Sequence, residues 1–503
     1  MALYSELSLY FVYVLLTATL GPLLFGYHLA ELNAPQDVIT CVKDHGGISA
    51  MERIKHAFTN TETSTASTPL PQCIPMNPTQ FGLVSSFFTL GGLIGALSAG
   101  PVTATHGRLK TMIWLSAFAV VGPVFEAAAP NIAVMAFGRL VAGIGAGGAT
   151  VVVPIYISEI SPPSKRGFFG AFTQILTNCG ILITQALGLF MSKGQLWRVI
   201  LGIGGVIALV QMVGLLLGGQ ESPKYLADIG KASQAKAVLR RLRSPEADIE
   251  EEIAAIGGTD ERHEDDEQVT LLANEESGQS GARTTKQTLG FFGVSKHADT
   301  RPAVIAVIAI MVAQQFTGIN SIVMYGVGLL SDLLAANSAI LNVVVAAVNI
   351  VITTSCAPLA DKWGRKRTLL LSITGMGLNS VLLAIGMMHT IKVLSAVAVI
   401  LFVASFGLGL GPIPFILASE LVSSEDVGAV QSWALAANWI ATFVVAQFFP
   451  LVNDSMGKGQ VYFIFAAFAL AFGLFISWYV PETKGKQDAD EVWGRRKAVN
   501  LED

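Results

Sequence analysis

Three sets of polar residues stand where this sequence is otherwise apolar, and each set suits a different chemistry. Gln314, Gln315 and Asn320 share one long apolar run, and Gln174, Asn349 and Asn438 are further amides inside such runs. An amide carries donors and an acceptor without charge, which suits a neutral ligand rich in hydroxyls. In hydrocarbon it must also find partners, so the competing use is hydrogen bonding that glues helices together. The second set is titratable. In FGYHLAELNAPQ, residues 25–36, His28 and Glu31 lie three apart after a long uncharged stretch, a spacing that puts them on one helix face. Histidine titrates near a pH of about 6.5, so the pair could carry a proton. The alternative is a plain hydrogen bond at the water edge of the first helix. The third set is Arg108, Arg166 and Arg365 with Glu159, Glu221, Asp361, Glu420 and Glu482, all at the ends of apolar runs. Ion pairs formed between halves of a bundle and broken when it opens would gate it. Topological anchoring would need the arginines but not the acids.

The elements that position these groups follow from composition. The chain has 503 residues, 52% hydrophobic and 14% charged, against roughly 25% charged in a soluble domain. So few charges cannot cover a soluble protein of this length. Apolar runs long enough to cross about 30 Å of hydrocarbon fall near 9–32, 80–102, 111–129, 131–157, 168–191, 196–219, 302–329, 338–360, 368–389, 393–418, 430–452 and 459–480. The expectation is an all-α membrane protein of twelve transmembrane helices. The first run lacks a basic start and a small-residue cleavage site, so it reads as a retained span rather than a leader.

Short loops set the orientation. Arg108, Lys110, Lys165, Arg166, Lys362, Arg365, Lys366 and Arg367 fall on one side, while the other side holds chiefly Lys193, Lys392 and Lys458. The first side is expected to be cytoplasmic, with both termini there. The net charge of −4 says little, because most acids sit in one loop. Cys41 and Cys73 share the first extracytoplasmic loop, where a disulfide is expected; Cys179 and Cys356 read as buried small hydrophobes.

The halves repeat. GRLK at 107–110 faces GRKR at 364–367, and the interval from Glu159 to Glu221 equals that from Glu420 to Glu482. Two six-helix halves around a central site are a transporter design. The division expected is 1–219 for the first half, 220–301 for a cytoplasmic linker, 302–480 for the second half and 481–503 for a tail. Within the linker, 223–243 reads as an amphipathic surface helix with Ala235, Val238, Leu239 and Leu242 on its apolar face. Residues 244–287 are acidic and poor in aromatics, the composition of a disordered insert. EQVTLL, with Glu267, Leu271 and Leu272, fits an acidic dileucine sorting signal that adaptors would read.

The motifs FGYHLAELNAPQ, GRLVAGIGAGG, PIYISEISPPSKRG, QESPKYL, QQFTGINSIVMYG, DKWGRKR, GPIPFILASEL and VPETKGK together resemble the sugar porter family of the major facilitator superfamily, over all but 244–287. The facilitative glucose transporter branch is similar down to the NAPQ ending of its first helix. The resemblance implies the major facilitator fold and transport of a hexose or related polyol by alternating access, of facilitative type. It matches Gln174, Gln314, Gln315, Asn320 and Asn349 to sugar-contacting positions. It also matches Arg139 to an arginine that partners an aspartate in proton-coupled members, where this chain has His28. Departures stand beside these matches. Gly407 replaces a glutamate usual in glucose carriers, Phe415, itself a candidate substrate contact with Asn438, replaces a tryptophan, Val427 an arginine, and Ala104 an aspartate. Glucose itself is thereby in doubt, and a proton-coupled symporter using His28, Glu31 and Arg139 stays open.

Other function classes fare worse. A sugar sensor on this fold would be expected to signal through a long tail, and the stretch after Val480 is short. There is no constellation for an enzyme, no metal-ligand spacing and no expected cofactor. GIGAGGAT, residues 143–150, lacks the ending of a phosphate loop, and Gly143 and Gly147, like Gly91 and Gly95, are expected to serve close helix packing. The expected partners are a small sugar and the bilayer, without nucleic acid, in a monomer residing in a vacuolar or lysosomal-type membrane or at the plasma membrane.

Overall fold

The computed structural model describes residues 7–42, 70–245, 249–250, 252–253, 291–334, 337–423, 426–457, 459–486 and 489–494. Twelve helices in it are long and apolar enough to cross a membrane. In the first half they are α1 (Leu9–Ala30), α2 (Pro78–His106), α3 (Arg108–Ala127), α4 (Ile132–Ile160), α5 (Arg166–Met191) and α6 (Trp197–Gly218). In the second they are α7 (Arg301–Phe316 continued by Ile319–Leu334), α8 (Asn337–Trp363), α9 (Arg365–Met388), α10 (Lys392–Ser405 continued to Glu420), α11 (Val427–Met456) and α12 (Val461–Tyr479). Polar caps start several of them. Ser8 accepts from the Phe11 N–H, and Asn77 and Gln80 form a reciprocal capping box.

Two spans are not continuous helices, and the sequence pattern did not announce it. α7 breaks at Thr317–Gly318, where Gly318 has φ +97° and lies against the Phe465 ring, a conformation that a side chain would strain. α10 passes through a π-helical turn at Phe406–Leu410. Both breaks free backbone carbonyls inside the bundle, where some group must donate hydrogen bonds to them.

In the first half, glycines let backbones touch. A Cβ on Gly91 or Gly95 would strike the carbonyls of Leu140 or Ile144, and one on Gly143 or Gly147 those of Phe88 or Gly92. α2 and α4 therefore pack with no side chain between them.

The halves meet where α2 packs on α11 and α5 on α8. The meeting is tightest toward the end of the bundle that carries the Cys41–Cys73 disulfide, called here the disulfide end. Phe81 packs edge-on against Tyr325, and Phe25 and Phe88 against Trp439. Ser86 donates to Gln447 across the same seam. At the tip, Asn33 donates to the Val323 carbonyl (2.9 Å) and accepts from the Val327 N–H (2.8 Å). At the opposite end, the charge end, the ion pairs Arg108–Glu159 and Arg365–Glu420 each lie within one half.

The linker begins with helices Pro223–Asp228 and Ala232–Leu242; the second buries Ala235, Val238, Leu239 and Leu242. That helix lies against the first half, with Arg243 donating to the Ile160 carbonyl and pairing with Glu252. Glu267, Leu271 and Leu272 lie outside the described residues.

Candidate functional site

Two amide chains cross the middle of the bundle. One lies wholly in the second half. Asn438 donates to Gln314 Oε1 (2.6 Å), Gln315 donates to the same oxygen (3.2 Å), and Asn320 donates to Gln315 Oε1 (2.6 Å). Gln314 in turn donates to the carbonyls of Leu410 (2.7 Å) and Gly411 (3.1 Å), which the irregular turn of α10 leaves free. Gln315 and Asn320 meet across the break in α7, not along the face of one continuous helix.

The other chain joins the halves. Gln174 on α5 donates to Asn178 Oδ1 (3.3 Å), and Asn349 on α8 donates to the same oxygen (3.4 Å). Asn178 donates to Thr353 Oγ1 (3.5 Å), which donates to Asn349 Oδ1 (3.2 Å). Most of these contacts exceed the usual about 2.9–3.0 Å, so a ligand hydroxyl could replace them at small cost. Gly407 stands against this chain; a Cβ there would lie 3.0 Å from Thr353 Oγ1 and 3.1 Å from Asn349 Oδ1. Phe415 lies in neither chain; it is 43% exposed on the last segment of α10.

The titratable pair is not at a water edge. His28 and Glu31 are buried, with His28 Nδ1 3.0 Å from Glu31 Oε2. Arg139, equally buried, pairs with Glu31, donates to the His28 carbonyl (2.8 Å) and stacks on the Phe88 ring at 4.5 Å. A further acid, Glu126 of α3, faces the three and is fully buried. Packing explains the correction: α3, α4 and α6 close over the end of α1, with Gly204 against the His28 ring and Gly138 against Glu126.

The end charges form two matched clusters. Arg108 grips Glu159 through Nε (2.8 Å) and Nη2 (2.7 Å), while Glu221 accepts from the Arg108 N–H (2.7 Å). Arg365 pairs with Glu420 (3.0 Å), and Glu482 accepts from the Arg365 N–H (2.8 Å). Gly107 and Gly364, at φ +90° and +97°, lie against these two glutamates, where a side chain would block the carboxylate. Each of these two pairs lies within its own half. Burial pushes the Glu221 carboxyl up, opposed by the N–H bonds of Ser222, Arg108 and Leu109. Arg166 is exposed, and the side chain of Asp361 lies outside the described residues.

Sequence reading missed Asn178, Thr353 and Glu126. The last carried a signal, since an acid inside an apolar run is costly unless it serves something. Asn178 and Thr353 sit one turn from Gln174 and Asn349, and only the packing of α5 on α8 selects them.

Comparison with known proteins decides the class of this geometry. The family described as sugar (and other) transporter matches residues 14–492. The chain belongs to that family. It is a multi-pass sugar porter of the major facilitator superfamily. A probable metabolite transport protein of Saccharomyces cerevisiae is 34% identical over 95% of this chain and 94% of its own length. Facilitated glucose transporter member 2 of Gallus gallus is 32% identical over 93% of this chain and 90% of its own. The xylose transporter of E. coli, in a partially occluded inward open conformation, superposes with a TM-score of 0.71 at 21% identity, covering 95% of this chain and 100% of its own. That likeness is one of fold.

Proposed function

We propose that this sugar porter carries a hexose or a related polyol by alternating access, as a facilitative carrier whose charge end faces the cytoplasm. The observation that carries the reading is the pair of amide chains at mid-depth. One is firm and confined to the second half; the other is loose and shared between halves. A ligand that satisfies both would release the contacts joining α5 to α8 as it binds, which links occupancy to the relative position of the halves. Uncharged donors and acceptors suit sugar hydroxyls, and Gly407 leaves space where a longer side chain would reach Asn349. Gln174, Gln314, Gln315, Asn320, Asn349 and Asn438 are the proposed contacts, and Asn178 and Thr353 join them. The charge clusters act within each half, fixing the turns that the halves pivot on. Uptake of a panel of labelled sugars into proteoliposomes, with and without a pH gradient, tests the reading. Failure of every sugar and polyol to equilibrate would end it.

A proton-coupled mode is the second reading, favoured by one observation: four ionisable groups buried together beside the end of α1. For location, the EQVTLL pattern supports a vacuolar or lysosomal-type membrane reached through sorting adaptors. A Leu271→Ala, Leu272→Ala double mutant should then move to the cell surface, and a tagged wild type already there removes the proposal.

A further inference from the structure

Glu126 has no cation of its own. It lies at the end of α3, fully buried, and its carboxyl has no donor beside it. Its one polar neighbour in reach is the Glu31 carboxyl, which it can meet by a hydrogen bond only if one of the two acids holds a proton. The ionisable groups facing it are Glu31, His28 and Tyr27 from α1 and Arg139 from α4; the Tyr27 hydroxyl is engaged, donating to the Ile200 carbonyl. Arg139 is already paired with Glu31. Arg198 of α6 is engaged by the carbonyls of Pro71, Ala127 and Ala129.

Three protonation patterns leave the four groups neutral overall. The one with the proton on Glu31 and the charge on Glu126 would break the Arg139–Glu31 pair that the structure shows, which leaves two. In the first, Arg139 and Glu31 are charged while His28 and Glu126 are neutral. In the second, all four are charged. His28 Nε2 has no partner either, and the backbone of Gly204 crowds that edge of the ring. The second pattern would therefore bury an unpaired imidazolium N–H and an unpaired carboxylate, each at a cost of several kcal/mol. The first pattern charges only groups that are paired. His28 then donates from Nδ1 to Glu31, and the proton of the cluster sits on Glu126.

We propose that Glu126 is the proton-binding residue of the transport cycle, neutral while the disulfide end is sealed and ionised when that end is open. This deepens the proton-coupled reading above and rests on it. On ionising, the carboxyl gives its proton to water, and the carboxylate left behind competes with Glu31 for Arg139. Arg139 also holds the His28 carbonyl in the last turn of α1, and Asn33, two residues beyond Glu31, ties that helix to Val323 and Val327 of α7. A shift of Arg139 toward Glu126 thus loosens the end of α1 at the contact that seals the halves. Protonation restores it. Glu126 is not among the positions that resemblance to the family assigns, and its place in the cycle follows from this chain's packing.

The full-length protein in lipid tests this in two independent ways. Infrared difference spectroscopy should show the carbonyl band of a buried protonated carboxyl in the wild type, lost in Glu126→Gln and in the apolar Glu126→Met. In proteoliposomes, an imposed proton gradient should drive sugar accumulation by the wild type. Glu126→Gln should bring the accumulation ratio to unity and flatten the pH profile of uptake, while His28→Asn keeps a pH response. A wild type without a band that depends on Glu126 overturns the proposal, even where the variants fold poorly. So does a Glu126→Gln protein that accumulates sugar as the wild type does, or a wild type that never exceeds equilibrium. Absence of any sugar exchange with the infrared band intact would instead sink the transport reading and leave the neutral acid standing.

Discussion

The two halves share a scaffold and differ in what they bury. The first half keeps ionisable groups in its interior, His28, Glu31, Glu126 and Arg139, and its helices α1 and α4 run unbroken around them. The second half keeps amides, Gln314, Gln315, Asn320 and Asn438, and both helices beside them are irregular. The difference is physical. A buried charge needs a counter-charge held at a fixed distance, which rigid helices supply. An amide chain needs acceptors of ordinary strength, which a broken helix supplies from its own carbonyls, as Leu410 and Gly411 do for Gln314. The turns and their charge clusters match between the halves, while the interiors differ, with buried charges in one half and amides in the other.

The largest expected effect breaks the first half. Arg139→Leu leaves Glu31 buried without its cation and should cost about 3–5 kcal/mol of stability. The loss should be read as a fall in melting temperature in detergent, with Glu31→Gln in the same chain restoring much of it. A single variant as stable as wild type would mean that the pair carries little. Next comes the second half. Gln315→Ala should leave stability near wild type but weaken binding of the transported sugar by roughly 1–3 kcal/mol, the cost of an unpaired hydroxyl in a dry site. Unchanged affinity in a folded variant removes Gln315 from the proposed contacts.

The smallest effect sharpens the comparison at the charge end. Glu159 is 8% exposed and gripped by its arginine through two short bonds, whereas Glu420 is 29% exposed and held by its arginine at 3.0–3.2 Å, with the Thr483 hydroxyl donating to it besides. Glu159→Gln should therefore cost about 1–2 kcal/mol and Glu420→Gln under about 1 kcal/mol. Thermal melts of the two variants measure the order, and a reversal would deny that the first cluster is the firmer one.

Much of this was legible in the sequence, for identifiable reasons. Hydropathy located the spans, because crossing hydrocarbon fixes length and composition together. The equal spacing of Glu159 with Glu221 and Glu420 with Glu482 exposed the repeat, and the amides of QQFTGIN stood out against apolar surroundings. What stayed hidden depends on neighbours distant in the chain. Nothing local says that Arg108 pairs with Glu159 in its own half instead of an acid in the other. The burial of His28 and Glu31 depends on α3, α4 and α6 closing over them. The break at Gly318 needed the ring of Phe465 and the demands of Asn320 to become intelligible.

The glycine seam between α2 and α4 has a consequence for heredity. Where backbones touch, there is no neighbouring side chain that could shrink to accommodate a newcomer. A codon change at Gly91, Gly95, Gly143 or Gly147 must push two whole helices apart, and the smallest coding change, to alanine, already does so. In a saturation library these four positions should read as blanks among otherwise permissive apolar neighbours, a row of silences that Gly26 and Gly180 repeat where α1 meets α5.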